Sequence, residues 1–196
     1  MIRDLVKPAG VATLTGVISL LKSDHCRDNG FTSPDNYIHL CYSDIPALFG
    51  ARALDLGVNP YADGANSMEY PVGTGYIAAT FARFSNTYLH FFDLNALALL
   101  AIFIATTLLL YRMAPKVWFF FPLTPAVVSS LYINWDLWAV LAMVISFYYL
   151  KVEKFDLAGF FLGLSIAIKF FPIFFIPALI LFFRNRKQLK SEEQVK

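Results

Sequence analysis

Apolar and polar positions divide this chain into five apolar stretches around one long polar loop. The apolar stretches cover residues 8–21, 94–113, 117–133, 137–150 and 158–183, and the polar-to-mixed loop covers residues 22–93. A helix needs ~20 predominantly apolar residues to cross a bilayer. The pattern therefore predicts an all-α fold, a polytopic membrane helix bundle with a long outer loop.

The first and last apolar stretches differ from ordinary spans. We place a first transmembrane helix, clipped at its N-terminus, in residues 1–21; a secretory signal segment is the alternative, but Lys22 interrupts the expected cleavage pattern. The remaining transmembrane helices fall in residues 94–183. A lysine and a proline interrupt the last of them, which predicts two half-helices in a broken hairpin near residues 169–172. Residues 184–196 read as a basic cytoplasmic tail.

The long polar loop contains two shorter helical patterns. A cap at Ser43 or Asp44 predicts a helix over residues 45–56, which Gly57 ends. Its apolar positions favour a place on the membrane surface. Residues 72–84 are weakly apolar and predict a surface or partly inserted helix. We therefore expect an outer loop with juxtamembrane helices.

Basic residues indicate the orientation, because cytoplasmic loops of membrane proteins are enriched in Lys and Arg. If residues 72–84 do not cross and residues 158–183 form a broken hairpin, every basic cluster is cytoplasmic, and the polar loop shares the outer side with Asp136. These clusters are Arg3 and Lys7, Arg112 and Lys116, Lys151 and Lys154, and Arg184, Arg186 and Lys187. If both segments cross once, the two middle clusters lie outside, so we favour the first arrangement.

Composition supports the membrane class. The 196 residues are 58% hydrophobic and 15% charged, whereas ordinary globular domains are about 25% charged. A net charge of +2 argues against nucleic-acid binding.

Cys26 and Cys41 are the only cysteines and are too few for a zinc site. They form a disulfide if the loop faces an oxidising compartment, and two free thiols are the alternative.

Several charged residues are candidates for chemistry. Asp44 or Glu69 is placed to act as general base toward an acceptor hydroxyl, whereas Asp55 and Asp63 suit solvated faces. Asp136 is either an active-site acid near Asp44 or part of a solvated turn. No Gly-rich phosphate loop or Ser-His-Asp spacing occurs in the sequence, which argues against soluble-nucleotide chemistry, and we expect no cofactor.

Lys169 lies within an apolar segment, where a lysine costs ~2.5–3.5 kcal/mol on insertion scales. Two arrangements relieve that cost. The side chain reaches the interface if the helix ends there, or it pairs with an anion, for which a lipid phosphate is the preferred candidate. A lysine at that depth therefore predicts a phosphate contact or a helix end.

The blocks YSDIPALFGARAL, GVNPY, EYPVGTG, NWDLWAV and AGFFLGLSIAIKFFPIFFIP resemble the polytopic GT-C glycosyltransferases. Within that group they resemble glycosyltransferase family 87, the polyprenol-phosphate-mannose-dependent α-mannosyltransferases, over residues 41–184. The resemblance implies transfer of a hexosyl group, mannosyl above all, from a polyprenyl-phosphate sugar to a lipid or cell-envelope glycan. The reaction would take place on the outer face of a bacterial plasma membrane.

The resemblance also implies roles for individual residues. Asp44 matches the outer-loop acid expected to be the catalytic base, and Glu69 and Asp136 would line the same cavity. Lys169, with Arg52, would contact the donor phosphate.

Such enzymes look roughly twice as long, so we expect a partial or truncated member whose acceptor-binding C-terminal half is encoded separately. A non-catalytic fragment or subunit and a lipid-linked-sugar transporter are the alternatives, and the need for a divalent metal stays open.

Overall fold

The computed structural model describes residues 2–62 and 64–194, with side chains over residues 4–62 and 64–186. Every regular element in these residues is helical, which confirms the all-α prediction. The α-helices are α1 (Ile2–Asp28), α2 (Asp35–Ile38), α3 (Asp44–Ala51), α4 (Val72–Ala82), α5 (Tyr88–Met113), α6 (Phe120–Leu123), α7 (Pro125–Ser130), α8 (Asp136–Lys151), α9 (Phe155–Ile168) and α10 (Ile176–Gln194). Two 3₁₀ turns, Leu54–Leu56 and Phe171–Phe175, complete them.

Within the described chain, two helices are long and apolar enough to cross a membrane: Asp4–Asp28, which is most of α1, and Tyr88–Met113, which is α5. They pack against each other in opposite directions. At one end Arg27 Nη2 lies 2.7 Å from Asp93 Oδ2. Farther along, Gly16 lets Leu100 approach so closely that a Cβ at Gly16 would lie 2.3 Å from Leu100 Cδ1. This glycine therefore sets the spacing of the two helices.

Helices α5 and α8 run side by side in the same direction. At one end Trp135 Nε1–H donates to Asn95 Oδ1 over 2.7 Å. At the other end Lys151 Nζ donates to the Met113 carbonyl over 2.9 Å. The chain between these helices must therefore return along the bundle, and the turn before α8 lies at the same end as the start of α5. We call this the site end.

Residues 117–133 do not form the continuous helix that the sequence predicts, because two prolines interrupt it. Pro122 and Pro125 have no backbone N–H to donate, and a residue before proline is pushed out of the helical region. Thr124 accordingly has ψ 128°, between α6 and α7. The return to the site end is made by two short helices instead of one span.

The last apolar stretch is interrupted at Lys169, within the range where the sequence predicts a break. Lys169 follows α9 with extended backbone, φ −147° and ψ 144°. Helix α10 then runs back along α9, since the Phe183 ring lies 5.3 Å from the Phe155 ring. Arg186 Nη2 also lies 2.6 Å from Glu153 Oε1. Lys169 therefore occupies the site end, and Arg186 the opposite end.

Helix α3 packs its apolar side chains into the protein core, whereas the sequence predicts them on a membrane-facing side of the helix. Ile45 and Leu54 are 0% and 2% exposed, and the Phe49 ring stacks on Phe91 of α5 at 4.9 Å. These side chains are therefore buried against protein. The predicted helix 45–56 also divides at Ala53, whose φ of 50° turns the chain so that Leu54 can enter the core.

Candidate active site

Ser43 and Asp44 are held against the turn that precedes α8. The Ser43 hydroxyl donates to the Tyr132 carbonyl over 2.8 Å, and the Asp44 N–H donates to the Ile133 carbonyl over 2.7 Å. The same hydroxyl accepts from the Ile45 N–H at 3.2 Å, so Ser43 caps α3 as the sequence predicts. The start of α3 is thus fixed at the site end of the bundle.

Two phenols donate to the Asp44 carboxylate. The Tyr42 hydroxyl lies 2.6 Å from Asp44 Oδ1, and the Tyr70 hydroxyl makes a short hydrogen bond to Oδ2. The hydrogen bond to Asp44 raises the pKa of Tyr42 to about 12. Burial, followed by the bond to Asp44, raises the pKa of Tyr70 still further. Both phenols are therefore protonated donors at neutral pH and orient the carboxylate between them.

Tyr70 joins Asp44 to a second charged pair. The Lys169 ammonium lies 3.9 Å from the centroid of the Tyr70 ring and 2.6 Å from Asp136 Oδ1. A cation over an aromatic face is attracted by the ring quadrupole. Four side chains from four separate segments thus form one connected group, Asp44–Tyr70–Lys169–Asp136, which we call the acid–lysine cluster.

The ends of two helices position the Lys169–Asp136 pair. Asp136 is the first residue of α8, where a carboxylate is stabilised by the positive end of the helix dipole. Lys169 directly follows the last residue of α9, and its side chain is 15% exposed against 50% for Asp136. Helix α9 ends just before Lys169, and the anionic partner of its ammonium is Asp136; contact with a lipid phosphate stays a prediction. The exposed side of this carboxylate leaves the pair open to a ligand.

A buried hydrogen-bonded anchor fixes the turn that carries Asp136. Trp135 is fully buried, and Asn95, which accepts its indole N–H, is 1% exposed. Asn95 also donates from Nδ2 to the Phe91 carbonyl over 2.8 Å, so the amide is satisfied on both sides. Asn134 Oδ1 accepts the Asp136 N–H at 2.9 Å. The turn is therefore a rigid part of the core and not a mobile surface loop.

Glu69 and Arg52, two further candidates, pair with each other. Arg52 Nε lies 2.5 Å from Glu69 Oε2, and the two side chains are 28% and 52% exposed. The hydrogen bond from Arg52 lowers the pKa of Glu69, and Glu69 raises the pKa of Arg52. Glu69 neighbours Tyr70 in sequence but makes its ion pair outside the acid–lysine cluster. The side chain of Asp55 is exposed, and Asp63 lies outside the described residues.

Cys26 and Cys41 form a disulfide, with 6.0 Å between their Cα atoms. Both are buried, at 0% and 2% exposure. The sequence left a disulfide and two free thiols open, and the structure has the disulfide. The bond ties the last turn of α1 to the residue just before Tyr42, so it holds the segment that leads into the cluster.

A cavity of about 160 Å³ borders Asp136 on the side of α6 and α7. Its lining is mainly apolar and consists of Phe121, Val127, Ser130, Leu131, Ile133, Asn134, Asp136, Leu137 and Val140. An apolar cavity with a carboxylate at its edge suits a ligand that combines a hydrocarbon part with a polar head. Its position beside the ion pair makes it part of the candidate site.

Sequence reasoning missed the two tyrosines, although both adjoin residues that it selected. Tyr42 precedes Ser43-Asp44, and Tyr70 directly follows Glu69. Each lies in a block, YSDIP or EYP, that was singled out for its acid. A tyrosine next to a candidate carboxylate is thus the signal that was available, but the pairing of Tyr70 with Asp44 spans a loop and needs the fold.

A family model described as glycosyltransferase family 87 matches residues 69–190. The matched range contains Tyr70, Asp136 and Lys169, and Asp44 lies before it. No curated protein and no solved structure matches the chain.

Proposed function

This chain belongs to glycosyltransferase family 87, and we propose that it is a GT-C-type membrane enzyme that transfers a mannosyl group from a polyprenyl-phosphate sugar. The acceptor is a hydroxyl of a lipid or cell-envelope glycan. Membership in the family supports glycosyl transfer. The observation that carries the proposal for this chain is the acid–lysine cluster, because it combines a carboxylate with a cation at one end of the bundle.

In the proposed reaction Asp44 acts as the general base. It accepts the proton of the acceptor hydroxyl as that oxygen bonds to the anomeric carbon, and the bond from this carbon to the phosphate oxygen breaks. The electron pair leaves with the polyprenyl phosphate. The Tyr42 and Tyr70 phenols hold the carboxylate in one orientation, which favours proton transfer because a positioned base contributes ~10²–10⁴-fold.

Lys169 supplies the positive charge for the leaving phosphate. Its ammonium has three N–H donors, so it can keep Asp136 as a partner and also receive a phosphate oxygen. A fixed cation stabilises charge that develops on the leaving group. Arg52, which we also assigned to the phosphate, pairs with Glu69, so Lys169 is the first residue to test.

The polyprenyl part of the donor is proposed to enter the apolar cavity beside Asp136. Phe121, Val127 and Leu131 provide its hydrocarbon walls, and Asp136 lies at its lining. A polyprenyl phosphate with its tail there would place its head near Lys169. Burial of the tail contributes to affinity roughly in proportion to the apolar area removed from water.

The site is proposed to face the outer side of a bacterial plasma membrane. Lys151 and Arg186 contact Met113 and Glu153 at the end of the bundle opposite the cluster. Because basic residues mark the cytoplasmic side, this distribution supports an outward-facing cluster. The two candidate spans, α1 and α5, support membrane embedding.

Mannosyl transfer in membranes tests the proposal. Membranes containing the wild type, Asp44→Asn or Lys169→Ala are given labelled polyprenyl-phosphate mannose, and labelled lipid and glycan products are counted. We expect Asp44→Asn to lose ~10²–10⁴-fold in rate. Asp55→Asn, which removes an exposed acid outside the cluster, is the matched control and should keep wild-type activity. Equal transfer by all four proteins would overturn the assignment of the cluster.

A further inference from the structure

Two of the three histidines of this chain converge on one carboxylate, away from the acid–lysine cluster. His25 Nε2 lies 2.9 Å from Asp35 Oδ2, and His39 Nε2 lies 3.4 Å from Asp35 Oδ1. The two imidazole rings are 3.9 Å apart between centroids. Three groups of the kind that bind metal ions, two imidazoles and a carboxylate, therefore meet at one point.

We propose that His25, Asp35 and His39 form a binding site for a divalent transition-metal ion, with Zn²⁺ as the reference metal. One ligand atom from each residue lies within 4.8 Å of the other two. The imidazoles and carboxylate of such a site are typically ~2.0–2.2 Å from zinc, so small side-chain rotations bring all three into range. The proposal is independent of the glycosyl-transfer function.

The backbone around these ligands is already fixed by covalent and helical structure. His25 is in the last turn of α1 and directly precedes Cys26, and His39 lies two residues before Cys41. The disulfide between these cysteines therefore holds the two histidine-bearing segments together. A site whose ligands are held close before the ion arrives loses less conformational freedom on binding.

The chemistry of the group favours a metal over a permanent ion pair. The two imidazole rings are 3.9 Å apart between centroids, and each has its Nε2 within 3.4 Å of an oxygen of Asp35. Neutral imidazole with the proton on Nδ1 presents a lone pair on Nε2, which is the form that binds metals. Nitrogen and carboxylate ligands suit Zn²⁺ and its neighbours better than Ca²⁺ or Mg²⁺.

Asn29 supports the arrangement from outside the ligand set. Its Nδ2 lies 3.2 Å from Asp35 Oδ2 and 3.2 Å from His25 Nε2, so this amide keeps its contact with the carboxylate and must release Nε2 when that nitrogen binds an ion. A donor to a ligating carboxylate fixes its orientation, as outer partners do in metal sites. With three protein ligands the ion keeps at least one open position for water. The ion would fasten the end of α1 to the segment that continues into Tyr42 and Asp44.

Metal titration of the purified full-length protein in detergent, with an affinity tag that lacks histidine and without reductant, tests this site. Zn²⁺ binding is followed by calorimetry, and Co²⁺ binding by its visible absorption. We expect one ion per chain. Because loss of an outer partner already costs ~10–100-fold in metal affinity, His25→Ala with His39→Ala should weaken binding by more than that. His90→Ala, which removes the third and exposed histidine, should bind like the wild type.

A second variant keeps the test decisive if the double substitution does not yield folded protein. Asp35→Asn retains the size of the side chain and one acceptor oxygen but removes the anionic ligand, and it too should bind Zn²⁺ more weakly. Equal binding by the wild type, Asp35→Asn and His39→Gln would overturn the proposal. So would a wild type that binds no Zn²⁺ or Co²⁺.

Discussion

The Lys169 ammonium lies 2.6 Å from Asp136 Oδ1 and connects the end of α9 to the start of α8. The two residues are far apart in sequence. Asp136 begins α8 and Lys169 follows the last residue of α9, and both lie at the site end of the bundle. The ion pair therefore contributes to the stability of the fold and, as proposed, to the reaction. Substitution of each partner in turn separates these two contributions.

Lys169→Met and Asp136→Asn are expected to differ in activity more than in stability. Either change breaks the ion pair, which costs ~1–3 kcal/mol because the Lys169 side chain is only 15% exposed, although that of Asp136 is 50% exposed. Only the lysine variant removes the cation proposed for the phosphate, so its transfer rate should fall by ~10²-fold or more. Thermal unfolding in detergent and mannosyl transfer measure the two effects. Similar rates in both variants would contradict a direct phosphate contact by Lys169.

Tyr70 is expected to have two separable roles. Tyr70→Phe removes the hydroxyl that donates to Asp44 but keeps the ring beneath the Lys169 ammonium. We expect ~10–100-fold slower transfer, since a hydrogen bond to a charged group contributes ~1.5–3 kcal/mol. Tyr70→Leu removes the ring as well and should be slower still. Tyr76→Phe, at an exposed tyrosine, serves as the control and should be unchanged; equal rates for both Tyr70 variants would refute the role of the ring.

The Arg52–Glu69 pair should stabilise the fold only above acidic pH. The pKa of Glu69 is lowered from 4.5 by the bond from Arg52, so the folded state binds the proton less well than the unfolded state. The contribution is thus present above pH 4.5 and is lost as the pH falls through the lowered pKa. Because Glu69 is half exposed, it is under about 1 kcal/mol.

Melting curves of the wild type and Arg52→Gln, recorded from pH 7 to pH 3, check this expectation. The small difference in melting temperature between them should shrink as Glu69 becomes protonated. A difference that stays constant over this range would show that Arg52 stabilises the fold by another contact.

Removal of the disulfide should destabilise the outer loop. Cys26 and Cys41 are 15 residues apart, and a cross-link of that length contributes ~3 kcal/mol by limiting the unfolded chain. The Cys26→Ala, Cys41→Ala variant should therefore melt at lower temperature than the wild type. Reductant should lower the melting temperature of the wild type toward that of the variant and leave the variant unchanged. A variant as stable as the wild type would contradict the expected effect.

The proposed orientation places residues 55 and 116 on opposite sides of the membrane. In the cysteine-free background, Asp55→Cys should react with an impermeant thiol reagent added outside intact cells. Lys116→Cys should react only after the cells are opened. Because both positions are exposed on the protein, burial does not explain a difference between them. Labelling of both from the same side would overturn the topology.

Helix-scale features were readable from the sequence because they depend on local chemistry. The sequence predicts a cap at Ser43 or Asp44, and Ser43 is the cap; a lysine and a proline in an apolar run predict the interruption at Lys169. Pro125 restricts the backbone of Thr124, so the sequence also contains the signal for the division of residues 117–133. The apolar pattern of these residues predicts a continuous helix instead. Apolarity alone does not tell a lipid-facing stretch from one that packs on protein.

Relationships between segments were not readable. Nothing in the local pattern around Tyr70 shows that its hydroxyl reaches Asp44 while its ring contacts Lys169. Likewise Ile45 and Phe49 have the spacing of a membrane-surface helix, and only the packing against Phe91 shows where they are buried. Such contacts depend on how loops close, which one sequence does not specify.

The hydrogen bond from the Asp44 N–H to the Ile133 carbonyl gives both carboxylates a common support. Asp136 belongs to the same turn, which the Trp135–Asn95 bond fastens to α5. The proposed general base, Asp44, and the carboxylate that pairs with Lys169 are thus attached to the same turn. A displacement of this turn would therefore move both carboxylates together.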